Sequence, residues 1–411
     1  MTNPAGSSFV SYRRARSHEI ERLVAVHHDH GIPTWRDTDD LRNEETEPEL
    51  KRILNDPQTA NALLWTTPDV RDSPVIGKVE IPIIHRRHQA NDEFFVVPVA
   101  AGDIDYATAE EIASKHLGLK NFNGWNFERV ESNPVADEEI AEIVGLVLER
   151  RLSAIGKAID VSDSFRLGIF TRQKPPVSSG FHLALDWQGR FDGRCATATT
   201  WERFLLPALR TVAEAVPRLH PSRPVVASGQ ACLPALVALG AAFLEPRDVH
   251  LIWQQHMRDI GGTQNWSLRE PPEDSLLDVD VVPQATGAED IGICISFRNS
   301  VHHAVKRGQD AGEIPQFRAL VDASIPGGGS TVLDTPGQAR EAISKVTEAI
   351  HMAQRDFPDP GKLHLFMDAP AGFAVMLGQK LNGVGPVQTY EHEPTDGVGQ
   401  YVRAALLRPG S

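Results

Sequence analysis

From Ser8 to Glu45 the chain runs strand, helix, strand and loop, and that order limits its fold more than any other stretch. SFVSYRR reads as a strand, RSHEIERLVAVHHDH as an amphipathic helix, and GIPTWRD as a second strand leading into an acidic, polar loop. Such a unit opens a small parallel α/β domain, and sheets of this kind bind ligands in the crevice outside the carboxyl ends of their strands. Tyr12 and Arg13 end the first strand, and Trp35, Arg36 and Asp37 end the second, so these five residues are expected to line one crevice.

The next segments keep the alternation. Ile20, Leu23, Val24 and His27 fall on one face of the first helix, behind a capping Ser17 and the acidic Glu19. Pro48 to Leu54 reads as a short helix, Ala62 to Thr66 as a strand, and Phe94 to Val99 as a strand covered on both faces. Asp72-Ser73-Pro74 starts a helix with Val75, Val79 and Ile83 at four-residue spacing; Pro82 should kink it and leave Glu80 beside the disturbed turn. FNGWNF, Phe122 to Phe127, is expected to close this domain as a strand or turn. Asn133 to Asp137 reads as a linker, followed by a helix over about Glu138 to Ile155 with Ile140, Ile143, Val147 and Leu152 on one side.

Composition narrows the function classes. At 411 residues two or three domains are expected, and a formal charge of -14 argues against tight binding to long nucleic acid, whose affinity comes from many cation to phosphate contacts. A compact nucleotide with a few phosphates is compatible with that charge. Cys195, Cys232 and Cys294 are odd in number and widely spaced, which fits small core residues better than disulfides or zinc. His27, His28 and His30, or His85 and His88, have no Cys or carboxylate set to complete a metal site, so no metal is expected. The longest apolar stretch, Ala231 to Leu244, is too short to span a bilayer and contains Pro234, and no signal peptide is evident, so a cytoplasmic protein without membrane contact is expected.

The second half carries a weak internal repeat. VVASGQACLPALVALGAAFLEPRDVHLIWQQ from Val225 and LHLFMDAPAGFAVMLGQKLNGVGPVQTYEHE from Leu363 share one plan: apolar strand, small-residue turn, Pro-initiated helix containing Leu-Gly, then a strand ending near an aromatic. Placing Gly240 on Gly378 brings Trp253 within one residue of Tyr390, and two related Rossmann-like halves follow. The turns Ser228-Gly229-Gln230 and Asp368-Ala369-Pro370-Ala371 each join a strand to a helix, where backbone N–H groups can take phosphate oxygens without basic residues. Phe297 and Arg298, in the word SFRNS before His302, His303, Lys306 and Arg307, add an aromatic and cations; Trp253 and Tyr390 can stack bases or pack in the core. Gly327-Gly328-Gly329-Ser330 lacks the Lys of a phosphate loop and reads as a turn.

These words carry two family resemblances. FVSYRR and GIPTWRDTDDL resemble the first strand and the second strand with its loop in Toll/interleukin-1 receptor (TIR) domains, and FNGWNF resembles that family's third box. From about Ala158 to the end, the repeated words LHLFMDAPAGFAVMLGQKL with TYEHE, and ASGQACLPALVALG with HLIWQQ, resemble SAVED domains, two fused CARF-like (Rossmann-like) sensor folds that recognise cyclic oligonucleotides. The combined resemblance implies a flavodoxin-like TIR domain over about 1–132, a linker and connecting helix over 133–157, and a SAVED domain over 158–411 with halves of about 158–270 and 271–411. It also implies a TIR-SAVED effector of CBASS-type or CRISPR-type antiphage defence.

In that family one carboxylate cleaves NAD+, and DSPVIGKVE resembles its motif, which makes Glu80 the implied catalytic residue. Ile76 stands where the family commonly has Trp, and Ser73 lies one residue farther from the Glu. Breaking the ribose to nicotinamide bond builds positive charge on the sugar, which a nearby carboxylate stabilises. Trp35 would then stack on a ring, and Arg13 or Arg36 would meet the pyrophosphate. No Gly-rich dinucleotide fingerprint is present, so NAD+ is expected as substrate and no cofactor is required. The implied activator is a cyclic oligoadenylate, with cyclic tri-adenylate the leading candidate, bound by the turns above and driving head-to-tail assembly into oligomers or filaments. Two other readings remain at this point: a noncatalytic adaptor that recruits partners after nucleotide sensing, and a nucleoside or nucleotide transferase on a similar scaffold.

Overall fold

The computed structural model describes residues 1–36, 46–90, 92–102, 104–116, 127–176, 180–245, 249–257, 261–325, 333–394 and 399–410. Asp37 and its acidic neighbours, FNGWNF up to Asn126, and Gly327 to Ser330 lie outside the described residues. The chain divides into two compact units: Met1–Ser162 with Gly180–Leu185 and Glu214–Pro221, and Asp163–Ser179 with Asp186–Ala213 and Ser222–Ser411.

The first unit holds a sheet in the order β2-β1-β3-β4-β5, formed by β1 (Ser7–Ser11), β2 (Thr34–Trp35), β3 (Thr59–Thr66), β4 (Phe95–Ala100) and β5 (Glu128–Arg129). Every neighbouring pair is parallel, which is the flavodoxin-like order with its topological switch between β1 and β3. All eight residues of β3 are buried, as a central strand covered on both faces requires.

Helix α1 (Ser17–Asp29) buries Ile20, Leu23, Val24 and His27 as the periodicity predicts. Ser17 does not cap it. Arg16 occupies the cap position, and the Ser17 hydroxyl instead donates to the Arg14 carbonyl at 2.6 Å, because a short 3₁₀ turn at Arg14–Arg16 precedes the helix. Helix α2 (Thr46–Asn55) lies between β2 and β3 in the chain.

Ahead of α3 (Ile81–Gln89) the helix opens into a π turn at Ile76–Glu80, in which the Ile81 N–H donates to the Ile76 carbonyl. Pro82 has no N–H to give the Lys78 carbonyl and its ring crowds that turn, so one wider turn absorbs the mismatch. The Ser73 hydroxyl accepts from Ile76 N–H at 3.4 Å, which is the expected cap, whereas Val75 is exposed although Val79 and Ile83 are buried.

After α4 (Tyr106–Glu111), helix α5 (Asp137–Ala158) is longer than the sequence pattern indicates and belongs to the first unit. Arg151 at its core donates to the carbonyls of Gly6, at 2.7 Å, and Ala5, while Arg150 donates to Val96 at 2.9 Å. Ala184, in the Gly180–Leu185 segment of the same unit, donates its N–H to the Gly31 carbonyl at 3.0 Å; it lies on β7 (Leu183–Asp186), the strand next to β6 (Phe165–Phe170) in sheet order.

The second unit contains two open sheets. In one, β10 (Gly262–Trp266), β9 (Leu251–Met257), β8 (Val225–Gln230) and β6 (Phe165–Phe170) are successive neighbours, the last three parallel. The other runs β11-β13-β12-β14-β15-β16, from β11 (Asp278–Pro283), β12 (Asp290–Ser296), β13 (Phe317–Ser324), β14 (Leu363–Asp368), β15 (Val387–Glu393) and β16 (Gln400–Leu407). Its inner four strands are parallel, with antiparallel strands on both edges.

The repeat seen in the sequence is structural. Val225 pairs with Leu251 in the first sheet as Leu363 pairs with Val387 in the second. Helices α6 (Leu233–Ala242) and α9 (Ala371–Lys380) follow β8 and β14 and pack on one another through their matched glycines. A Cβ on Gly240 would fall 2.0 Å from the Val375 carbonyl oxygen, and one on Gly378 would fall 2.2 Å from that of Val237. Small residues bring the two backbones together at the centre of the repeat. Between β12 and β13 lies α7 (His302–Asp310), and α8 (Pro336–Asp356) precedes β14.

Candidate nucleotide sites at the carboxyl edges

In the first unit, β1 ends on Ser11 at the switch point, and its hydroxyl donates to Glu80 Oε2 at 2.5 Å. Glu80 is only 7% exposed, so the π turn delivers a carboxylate into the interior at the carboxyl edge. The solvated helix position that a charged residue usually takes is not the one observed. Tyr12 and Arg13 follow at the same edge, each half-buried, and Arg13 Nε lies 3.6 Å from Asp69 Oδ2, beyond the end of β3. Arg36 follows β2 and is half-buried.

Trp35 departs from its expected role. It is 9% exposed and stacks on Phe9 with ring centroids 5.2 Å apart and planes 11° apart, so its faces serve the core. The two-residue strand β2 pairs Trp35 with Phe9, which sets the rings side by side. Ser11 and Asp69 are site residues that the sequence reasoning did not single out; the former lies inside the quoted FVSYRR, but only the fold shows that it meets a residue 69 positions later.

In the second unit a cleft of about 260 Å³ opens where the two halves meet, lined among others by Gln255, His256, Trp266, Arg298, Asp368 and Pro370. The β14–α9 turn, Asp368-Ala369-Pro370, forms one wall. Asp368 organises its neighbour: its Oδ2 accepts from the N–H groups of Arg298 at 3.2 Å and Asn299 at 2.6 Å, and from Asn299 Nδ2 at 3.2 Å. That fixes the turn after β12 and holds Arg298, which is exposed, at the cleft. From the other half, Gln255 Oε1 accepts from the Gly372 N–H at 2.9 Å, so the first turn of α9 is already met by a neutral side chain. Trp266 packs so closely that a Cβ on Gly372 would lie 2.6 Å from its ring.

Two aromatic residues expected at the site differ in their placement, and Tyr390 needs correction. Phe297 is on the lining of the cleft, but it is 3% exposed and sits edge-on against Phe373 at 4.9 Å, so most of its ring supports the turn from below. Tyr390 is 4% exposed, stacks on Phe366 at 4.3 Å, and shares a 2.8 Å hydrogen bond between its hydroxyl and His364 Nδ1. Burial and this satisfied hydroxyl make it a core residue. Trp253 is buried as well.

The turn after β8 is built differently. Gly229 lies so near β6 that a Cβ would be 2.1 Å from the Ile169 carbonyl oxygen, Ser228 is half-buried and Gln230 exposed, and Thr171 Oγ1 accepts from the Cys232 N–H at 2.9 Å. Close by, Glu391 is held by Arg172, with Arg194 at 3.8 Å. Cys232 and Cys294 are buried and free, and burial pushes the Cys232 thiol up to about 12, so it remains protonated. Cys195, also free, is half-buried beside charged groups and is not the apolar core residue expected. Among the described residues no cluster of His, Cys, Asp and Glu could hold a metal, and no helix is long and apolar enough to cross a membrane.

Comparison with known proteins bears on the second unit and on the fold. Residues 208–407 match the model of SAVED, the "SMODS-associated and fused to various effectors sensor domain". Among solved structures, an Acinetobacter baumannii Cap4 SAVED/CARF-domain containing receptor with the cyclic trinucleotide 2'3'3'-cAAA is similar at 15% identity, covering 85% of this chain and 88% of that one with a TM-score of 0.51. The same receptor with 3'3'3'-cAAA gives 16% identity, coverage of 84% and 86%, and a TM-score of 0.48. A Moraxella osloensis Cap4 receptor gives 14% identity, coverage of 90% and 86%, and a TM-score of 0.43. No curated protein matches the sequence. The 208–407 stretch thus matches a SAVED sensor domain, and the first of these likenesses supports the Rossmann-like fold of the chain.

Proposed function

We propose that this chain is an NAD+ glycohydrolase gated by a cyclic oligonucleotide, with the SAVED domain as sensor and the first unit as effector. The observation that carries the effector half is the Glu80 carboxylate, buried at the carboxyl edge of a 2-1-3-4-5 parallel sheet and hydrogen-bonded to Ser11 at the switch point. As the bond to nicotinamide breaks, the ribose carbon gains positive charge, and a carboxylate in a low-dielectric setting stabilises that charge far better than water does. Nicotinamide departs as a neutral base, so no second acid is needed, and water completes the hydrolysis to ADP-ribose. Arg13 and Arg36 at the same edge have the charge to meet the pyrophosphate.

The sensor half of the reading rests on the SAVED match together with the cleft at Arg298 and Asp368, which lies where open α/β sheets take ligands. In the Acinetobacter baumannii receptors the bound ligands are cyclic trinucleotides of adenine, which makes cyclic tri-adenylate the first activator to test. Activation is proposed to run through head-to-tail assembly. A heterologous contact between copies does not have to close into a ring, and a ligand that favours it drives growth by mass action.

The test is to incubate the purified chain with NAD+ and a panel of cyclic di-, tri- and tetranucleotides, following nicotinamide release and sedimentation together. Release and large assemblies are expected with one cyclic nucleotide and not without it. No nicotinamide with any ligand would leave the adaptor reading, and full activity in unassembled monomers would remove the assembly step.

A further inference from the structure

The repeat sets two arginines at matched positions. Phe170 pairs with Gln230 at the end of β6 as Ser296 pairs with Asp368 at the end of β12, and Arg172 and Arg298 each follow two residues later. Arg298 stands exposed at the cleft. Arg172 has the opposite surroundings: its guanidinium donates to Glu391 Oε1, and Arg194 Nη2 lies 3.8 Å from the same oxygen. Both arginine side chains keep contact with solvent, at 35% and 42% exposed, while Glu391 is 7% exposed.

Glu391 in turn has a counterpart. Counting from the paired residues Leu251 and Val387, the fourth position on is Gln255 in β9 and Glu391 in β15. Gln255 accepts an N–H from Gly372 at the start of α9. The residue matching Gly372 at the start of α6 is Pro234, which has no N–H to offer. An acid occupies the position instead and turns to the arginine.

We propose that Arg172 is a second phosphate-binding residue of the cyclic-nucleotide site, and that Glu391 occupies it in the ligand-free protein as an internal stand-in for phosphate. Binding then exchanges a carboxylate for a phosphate on the same guanidinium, both of which fit its fork of donors. The inference rests on the cyclic-oligonucleotide reading given above and adds to it a residue, a competitor and a pH dependence.

The groups facing Glu391 are Arg172 and Arg194, Glu393 on its own strand, the Tyr401 hydroxyl on the adjacent strand β16, and the thiols of Cys195 and Cys232. Burial outweighs the two guanidinium groups and pushes the Glu391 carboxyl up to about 7. An anionic ligand brought to Arg172 raises it further, so binding takes up protons. Affinity therefore rises as the pH falls from 8 to 6, the range in which Glu391 gives up its charge. Exposed His256 and His392 also stand in this unit, so the part played by the acid is separated by substitution.

Calorimetric titration of the full chain with cyclic tri-adenylate, and with the di- and tetra-adenylate rings as controls, makes the separation. Glu391→Gln, which keeps the shape and removes the charge, is expected to bind about tenfold more tightly at pH 8 and to lose most of the rise in affinity toward pH 6. Arg172→Ala and Arg298→Ala are each expected to weaken binding by about tenfold or more, and Arg172→Ala with Glu391→Gln to bind no better than Arg172→Ala alone. Wild type that binds while Glu391→Gln keeps its affinity and pH slope, or Arg172→Ala that binds as wild type does, overturns this inference and leaves the sensor reading intact. Wild type that binds none of the rings overturns the sensor reading, and this inference with it.

Discussion

Glu80→Gln is expected to lower nicotinamide release on the order of 10³-fold, while cyclic-nucleotide binding stays within about twofold of wild type. The substitution is nearly isosteric, and the amide can keep a hydrogen bond with the Ser11 hydroxyl, so the turn that carries it should fold. What disappears is a negative charge that, in the proposed reaction, faces the developing sugar cation. A lost packing contact would lower stability and leave residual turnover per folded molecule; a lost charge does the reverse. Thermal melting and a single-turnover assay on the same preparation separate the two. A Glu80→Gln protein that releases nicotinamide at the wild-type rate would end the assignment of this carboxylate.

The second large effect belongs to the helix pair at the centre of the repeat. Gly378→Ala places a methyl 2.2 Å from the Val237 carbonyl oxygen and 2.9 Å from the Ala241 nitrogen. Both are backbone atoms, so no side-chain rotation relieves the clash and α6 must move away from α9. Overpacking of this kind costs about 3 kcal/mol or more, which for a unit of this size lowers Tm by roughly 6–12 °C. Gly145→Ala is the matched control, because a Cβ there meets nothing within 4 Å. In the interior of α5 the alanine should leave Tm unchanged or raise it slightly, since glycine is the poorer helix former by about 1 kcal/mol. Equal melting temperatures for Gly378→Ala and wild type would mean that the close approach of the two helices contributes little to stability.

Much of this architecture was legible in the sequence because it rests on local rules. The apolar stripe of α1 and the continuous apolar run of β4 follow from periodicity alone. Pro82 announced a disturbed turn beside Glu80, and the missing N–H appears as the π turn at Ile76–Glu80. Gly240 and Gly378, which aligned the repeat in the sequence, also meet across it, a contact that only the fold shows. The limits were set by long-range packing. Trp35 stacks on Phe9 because parallel register places them side by side, and no local pattern distinguishes that from a ligand-facing ring.

Tyr390 and Trp253 were matched by spacing, yet the strand register equates Trp253 with Thr389, because the connection from α9 to β15 is shorter than that from α6 to β9. Ser17 had the composition of a cap but the preceding 3₁₀ turn took its place. Gln255, Arg172 and Glu391 escaped notice for another reason. Each matters through a partner 100 or more residues away; Gln255 and Glu391 lie in the words that the repeat had already marked, whereas Arg172 lies outside them.

The central claim is that occupancy of the sensor makes the first unit competent to cleave NAD+. It is tested most directly by measuring bound cyclic tri-adenylate and released nicotinamide in the same samples across a ligand titration. The account predicts that the rate is near zero without ligand and climbs with the bound fraction until both saturate together. Nicotinamide release that is already maximal in the absence of ligand, or that stays absent when the sensor is full, would contradict it.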